Sequence, residues 1–280
     1  MPKNQVKYTF LVGSAKSGTT KLADLLDLHP DITLSSDKEP DTFADSDFSE
    51  TLLNDYNTLF DSAAKIRIDA STSYSERTDS ELIAERLYRV DPLAKILYLV
   101  RDPAKRAWSS YWHYVRNGVE HRSPEEAITD INSPHYVGSC FYSQIRNYET
   151  VFPRSQIRII EFEDFIKSPS AIYKEILAFL ELDDAPLQQG ESSKTTNKSY
   201  QWRGPATILK YVKPKYIQKA TKIIKKTLPE GFINTIKHSA TKPVPKITPA
   251  QYQKFAPLFE EERRALKREY TDLFISSTTD

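Results

Sequence analysis

Three groups of charged and hydroxyl side chains stand out in this 280-residue chain, and the first has the types and spacing to hold an anion. The first is Gly13-Ser-Ala-Lys-Ser-Gly18 followed by Thr19 and Thr20, a short loop with one lysine, Lys16. It lies between an apolar run, Phe10 to Val12, and a stretch with Leu22, Leu25 and Leu26 at helical spacing. A strand that enters a helix through such a loop aims backbone N–H groups and the positive end of the helix dipole at one point, which suits phosphate or sulfate. The second group is Arg101 with Ser109, a guanidinium just after a strand and a hydroxyl on the helix that follows, which by themselves read as a helix-start ion pair and a surface serine. The third is the polar loop Ser36 to Phe43, with a charged pair, Lys38 and Glu39, fixed by Pro40, and Asp41 beyond it.

The elements that must position these residues read as an α/β chain. Lys7 to Val12, Ile32 to Leu34, Lys65 to Asp69, Lys95 to Val100 and Gln156 to Ile160 read as strands. Helices are expected from Thr19, over Ser49 to Phe60, after a cap at Asp79 or Ser80, from Pro103 with Asp102 as cap, from the capping box Ser123 to Glu126, over Phe141 to Phe152, and over Pro169 to Leu180. Strands alternating with helices imply a central parallel sheet flanked by helices, with its ligand site beyond the strand C-termini. Gly13, Ala70 and Arg101 each follow a strand end, so their loops should converge. From Gly190 the chain changes character, and residues 190–246 read as a long basic loop or lid with a variable region. A final helix is expected over 249–270, with Pro243 to Pro249 as spacers, and the whole of 1–280 reads as one domain.

Composition narrows the function. A formal charge of +1 gives no reason to expect nucleic acid as a partner. Mean hydropathy of −0.55 and the absence of any run near the ~18 apolar residues of a membrane span fit a soluble protein, and the N-terminus shows no signal-peptide pattern. The one cysteine, Cys140, allows no internal disulfide, so a cytoplasmic location is the expectation. The five histidines, His29, His113, His121, His135 and His238, show no ligand spacing, and no metal is expected.

A nucleoside-triphosphate loop would carry its lysine directly after the second glycine, with a hydroxyl next for magnesium. Here Thr19 follows Gly18 and the lysine lies inside the loop, so a P-loop nucleotide kinase is an alternative that fails at its central residue. Ala15-Lys-Ser-Gly-Thr-Thr20 instead resembles the 5′-phosphosulfate loop of sulfotransferases, whose donor is 3′-phosphoadenosine 5′-phosphosulfate (PAPS). Arg101-Asp-Pro-xx-Arg106-xx-Ser109 matches that family's 3′-phosphate motif in residue type, spacing and position after a strand. Leu28-His-Pro30, Lys38-Glu-Pro-xx-Phe43, Pro153 and Ile160 to Phe165 extend the resemblance over most of the chain, and the pattern is similar to the carbohydrate-type and bacterial branch.

The resemblance implies a P-loop-like sulfotransferase fold, PAPS as cosubstrate with 3′,5′-ADP as product, and no metal. It implies the following roles: Lys16 at the leaving phosphate; Ser17, Gly18, Thr19 and Thr20 around the 5′-phosphate; Arg101, Ser109 and Arg203 on the 3′-phosphate; Glu39 as general base. Tyr200 and Trp202 are candidates to stack on adenine. Asp41 and Thr42 depart from the family's usual His and Phe, which makes Asp41 a second base candidate. The expected acceptor is a hydroxyl or amine, in a glycan or a small molecule. The lysine-rich stretch Lys210 to Lys226 reads either as a solvated helix face or as a guide for a polyanionic or membrane-surface acceptor. A non-catalytic phosphonucleotide-binding protein is the second alternative. Trp108, Tyr111 and Trp112 read as core, and His29 as a helix-end packing residue.

Overall fold

The computed structural model describes residues 7–46, 48–184, 200–202 and 241–275. Strand β1 (Lys7–Gly13) leads through the lysine loop into helix α1 (Thr19–Leu26), and β2 (Ile32–Leu34), α2 (Glu50–Asn57), β3 (Ile66–Asp69), α3 (Ser80–Val90) and β4 (Lys95–Val100) follow. Helix α4 (Pro103–Arg116) is the longest of the described helices. After it come α5 (Pro124–Thr129), α6 (Pro134–Val137), α7 (Phe141–Glu149), β5 (Ile157–Glu161), α8 (Phe162–Lys167) and α9 (Pro169–Phe179). Strands β6 (Tyr200–Trp202) and β7 (Thr241–Pro243) form an antiparallel pair. The described chain closes with α10 (Pro249–Phe255), a 3₁₀ turn (Ala256–Phe259), α11 (Glu260–Glu269) and β8 (Phe274–Ile275).

Six strands make one parallel sheet in the order β2-β3-β1-β4-β5-β8. Parallel neighbours need crossovers, so helices cover both faces, and each central strand feeds one apolar layer per face. Phe10, Val12, Ile96, Tyr98 and Val100 point to a layer completed by α3, α7 and α11. Leu11, Leu97 and Leu99 point to the opposite layer with Leu22 and Leu26 of α1 and Ile172 and Ile176 of α9. The strict alternation along β1 and β4 is the period-2 pleat expressed in packing. A third apolar cluster joins α4 to the C-terminal segment through Trp108, Tyr111, Phe255 and Phe259. That fits the core reading of the α4 aromatics, and the Trp108 indole N–H is satisfied by the Pro245 carbonyl at 2.7 Å.

Several local expectations hold at their chemical cause. Asp102 caps α4 by accepting the Lys105 N–H at 2.9 Å, with Pro103 in the first turn. The Ser123–Glu126 capping box forms in both directions. His29 is buried in the turn after α1, accepting the Asp31 N–H at 3.1 Å.

Others change. The final helix over 249–270 is two helices, because Pro257 has no N–H to continue the ladder and the chain tightens into a 3₁₀ turn. Thr248-Pro249 is no spacer: Thr248 and Gln251 make a second capping box. Asp79 stands before α3 but gives its carboxylate to Arg77 rather than to a helix N–H. Helices α6 and α8, each a short turn after a strand or loop, carry too few periods to be read from the sequence.

Candidate phosphosulfate site

The loops after β1, β3 and β4 meet, as the strand ends predict, and they fix the lysine loop from three sides. Ser14 donates its backbone N–H to the Leu99 carbonyl at 2.8 Å, tying the loop's first residue to β4. Ser17 turns inward: its N–H goes to the Ser14 carbonyl at 3.1 Å, and the two hydroxyls lie 2.6 Å apart. Ser17 therefore shapes the loop, and its N–H, expected to face the ligand, is taken by the Ser14 carbonyl.

The outward side of the loop is held by arginines. The Arg101 guanidinium donates to the Lys16 carbonyl at 2.8 Å, and Arg106 donates through Nε to the Ala15 carbonyl at 3.1 Å. The Ala15 N–H goes to Glu76 at 2.7 Å, and Glu76 also pairs with Arg106. Arg106 is fully buried, with its remaining donors on the Pro134 and His135 carbonyls. Among the described residues, no protein acceptor takes the N–H groups of Gly18, Thr19, Thr20 or Lys21. Carbonyls bound to cations on one side and open N–H groups at a helix start on the other make an anion cradle.

Glycines are required at two points of this turn. Gly18 has φ +93°, and a Cβ there would meet the Phe162 ring at 2.8 Å. A Cβ on Gly13 would meet the Ser75 hydroxyl at 2.2 Å and the Tyr98 ring at 3.0 Å. Lys16 also has positive φ, 72°, so a non-glycine residue is held in a left-handed conformation at the centre of the loop.

Electrostatics match this geometry. Burial, then the charges of Arg116, Arg106 and Arg101, push the Lys16 ammonium down to about 8. Three arginines thus crowd the Lys16 ammonium, with Glu76 offsetting them in part, and an anion beside Lys16 would relieve that repulsion. His113, on α4, is held between Arg116 at 2.8 Å on Nδ1 and Asn117 at 3.1 Å on Nε2. Burial, then Lys16 and Arg116, push its imidazole down to about 3, so it is neutral at pH 7.

Arg101 stands at the end of β4 and Ser109 nearly two turns along α4. The Arg101 guanidinium lies 4.9 Å from the centre of the Phe162 ring, and its buried Nε has no hydrogen-bond partner. Ser109 is half-buried, and its hydroxyl makes no hydrogen bond among the described residues. A buried N–H without a partner is costly unless a ligand supplies the acceptor.

Glu39 is half-buried on the loop after β2, with φ 53°. Its carboxyl is raised above the ordinary 4.5, first by burial and then by Asp41, Glu76 and Asp69, against Lys38. Since Glu76 is the carboxylate that holds Ala15, Glu39 is within electrostatic reach of the lysine loop. Asp41, the second base candidate, accepts from the Ser73 hydroxyl at 2.5 Å, and burial raises it too.

Arg203 and the stretch Lys210 to Lys226 lie outside the described residues. The backbone of β6, which carries Tyr200 and Trp202, lies beside α4. Sequence reasoning missed Glu76, Phe162 and His113 as parts of this site, and placed Arg106 in a motif without a role. Only Arg106 had a signal, its spacing from Arg101; the others arrive from separate elements. Among the described residues, no group of three or more His, Cys, Asp or Glu is placed to hold a metal ion.

A parallel α/β sheet carries open N–H groups and a lysine after its first strand, and an arginine with a buried unpartnered Nε after its fourth. Comparison with known proteins fixes the class. The sulfotransferase domain model matches residues 7–265, and the chain belongs to that family. Among curated relatives, mouse carbohydrate sulfotransferase 15 is 24% identical over 256 residues, covering 67% of this chain and 45% of its own length. Human bifunctional heparan sulfate N-deacetylase/N-sulfotransferase 2 is 25% identical, covering 61% of this chain and 21% of its own. The chain thus spans less than half the length of these relatives. A solved sulfotransferase from Alicyclobacillus acidocaldarius superposes with TM-score 0.57 and 28% identity over 69% of this chain and 87% of that one. Mouse sulfotransferase SULT7A1, solved in complex with PAP, has the same fold, with TM-score 0.53 and 19% identity over 92% of this chain and 85% of that one.

Proposed function

We propose that this chain transfers a sulfuryl group from PAPS to a hydroxyl or amine acceptor. The carrying observation is the row of N–H groups from Gly18 to Lys21 beside the half-buried Lys16, with the Arg101 Nε and Ser109 hydroxyl a strand away, all of them without a hydrogen-bond acceptor or partner among the described residues. The first set fits a 5′-phosphosulfate and the second a 3′-phosphate on the same nucleotide. The spacing of the two grips over neighbouring strands β1 and β4 supports one bisphosphate ligand rather than two anions. Phe162, under both Gly18 and Arg101, offers an apolar wall to the nucleoside. Arg203 is proposed as a third contact to the 3′-phosphate.

In the proposed step, Glu39 accepts the proton of the acceptor O–H or N–H as the acceptor's lone pair forms the new bond to sulfur. The bond from sulfur to the bridging phosphate oxygen breaks in line, and the electron pair stays on 3′,5′-ADP. Charge grows on that oxygen, where Lys16 and the loop N–H groups stabilise it. Each charge-assisted hydrogen bond there is worth about 1.5–3 kcal/mol. A raised carboxyl suits Glu39, because a stronger base takes the proton more readily. The names of the carbohydrate and heparan sulfate relatives support a glycan acceptor.

The test uses labelled PAPS with a panel of glycan, alcohol and amine acceptors, beside calorimetry with 3′,5′-ADP and with ATP-magnesium. Glu39→Gln should keep 3′,5′-ADP affinity within about twofold and lose transfer by about 10²–10⁴, the range of a positioned general base. Tighter binding of ATP-magnesium than of 3′,5′-ADP would overturn the donor assignment.

A further inference from the structure

β3 ends in a carboxylate that the proposed chemistry does not use. Asp69 is fully buried, on the apolar layer that holds Tyr56, Phe43 and Tyr74. Among the described residues it meets no cation directly. Its Oδ1 accepts from the Ser71 hydroxyl at 2.6 Å, and its Oδ2 accepts from the hydroxyls of Tyr56 at 3.0 Å and Tyr74 at 2.9 Å. An ionised or neutral carboxyl in such a place costs stability unless every lone pair is used, so its retention needs a reason.

The reason lies in what two of these hydroxyls do with their other side. The Ser71 oxygen accepts the Asp41 N–H at 3.1 Å, and the Tyr74 oxygen accepts the Phe43 N–H at 3.4 Å. Ser73, in the same segment, binds the Asp41 carboxylate. Glu39 and Asp41 both have positive φ, 53° and 55°, on either side of Pro40. Two left-handed non-glycine residues this close persist only where the surroundings over-determine them. Asp69 orients the hydroxyls that supply those restraints, since a hydroxyl that donates to a carboxylate must turn its lone pair to the N–H.

We propose that Asp69 is a positioning residue for the proposed base: through Ser71 and Tyr74 it locks the loop that carries Glu39. The inference rests on the reading of Glu39 as the general base. It has an electrostatic companion, because the Asp69 charge is one of those that face Glu39, together with Asp41, Glu76 and Lys38, and it helps to hold the Glu39 carboxyl up.

The test needs no acceptor. Amide hydrogen exchange and a carbon-13 NMR titration of the Glu39 carboxyl, assigned by its loss in Glu39→Gln, are run on wild type, Asp69→Asn, Ser71→Ala and Ser71→Thr, beside calorimetry with 3′,5′-ADP. In Asp69→Asn and Ser71→Ala, the Asp41 and Phe43 amides should exchange about tenfold faster or more, as a locally opened loop does. In Asp69→Asn the Glu39 carboxyl should also titrate lower, because one of the charges that raise it is removed. Ser71→Thr, which keeps the hydroxyl, should restore wild-type exchange, and 3′,5′-ADP affinity should stay within about twofold throughout, since the donor loop is held by other contacts.

Unchanged Asp41 and Phe43 exchange in folded Ser71→Ala overturns the proposal. So does a loss of 3′,5′-ADP affinity that matches the gain in exchange, which would make the network general scaffold. Should Asp69→Asn not fold, Ser71→Ala and Ser71→Thr decide. If Glu39→Gln transfers sulfate at the wild-type rate while the loop amides respond as described, the base reading fails and the anchoring by Asp69 stands.

Discussion

Lys16 carries the strongest expectation at the scale of single residues. Its ammonium is pushed down to about 8 by burial and by neighbouring arginines, so in the free protein it loses its proton as pH rises through that value. A bound phosphosulfate or 3′,5′-ADP stabilises the charged form and raises the group again. Binding above neutrality is therefore expected to take up protons, and affinity for 3′,5′-ADP should weaken as pH rises past about 8. Calorimetry in buffers of different ionisation enthalpy measures both. Lys16→Ala should abolish that part of the pH dependence and lower transfer by about 10²–10³, the usual loss for one preorganised transition-state donor. Glu39 bounds the other side of the profile. Its carboxyl is raised above 4.5, so transfer should fall as pH drops through that raised value, and the acid limb should vanish in Glu39→Gln.

At the scale of elements, the lysine loop works because a strand, a helix start and an arginine-bearing helix meet it together. Gly18 shows the constraint. Alanine there would have to hold φ near +93° and place its Cβ 2.8 Å from the Phe162 ring. Left-handed backbone alone costs roughly 1–2 kcal/mol for a residue with a Cβ. Gly18→Ala should lower thermal stability and weaken 3′,5′-ADP binding. Adding Phe162→Leu should recover part of the stability, and the double-mutant cycle reads the contact directly. Arg106→Lys is the matching test on α4. Lysine keeps a charge but cannot reach Ala15, Glu76, Pro134 and His135 in one plane. We expect it to weaken 3′,5′-ADP binding at least tenfold, by letting the loop relax, although Arg106 stands behind the loop rather than in the cradle.

For the whole molecule, the site's rigidity comes from the two apolar layers that clamp β1 and β4. Leu97 sits in the middle of β4, fully buried, between α1 and α9. Leu97→Ala should cost about 2–5 kcal/mol in denaturant unfolding, as deletion of a buried leucine does in a close-packed layer. The C-terminal segment has a comparable task on the outer side of α4. Phe255 and Phe259 pack on Trp108 and Tyr111, and the Tyr252 hydroxyl donates to Asp102 at 2.6 Å, so the segment steadies the helix that presents Arg106 and Ser109.

Much of this was legible in the sequence for a physical reason. Pleat and helix periods are local, so the alternation in β1 and β4, the caps at Asp102 and Ser123, and the glycines flanking Lys16 all announce themselves over a few residues. The rule that ligands bind beyond parallel strand ends then brought Gly13, Ala70 and Arg101 together without coordinates. What the sequence could not carry was the direction of side chains after the loops met. Ser17 turns into the loop, Arg106 and Glu76 clamp it from outside, and Phe162 floors it; each depends on a neighbour distant in the chain. The same holds for Asp69, which reads in sequence as the polar end of a strand and becomes, once buried against Ser71, Tyr56 and Tyr74, the anchor of the Glu39 loop. By itself the sequence determined an anion-binding lysine loop between the first strand and helix, because backbone geometry there is set by adjacent residues. Only the tertiary structure decided which carbonyls the arginines occupy, and so which N–H groups of the loop stay open.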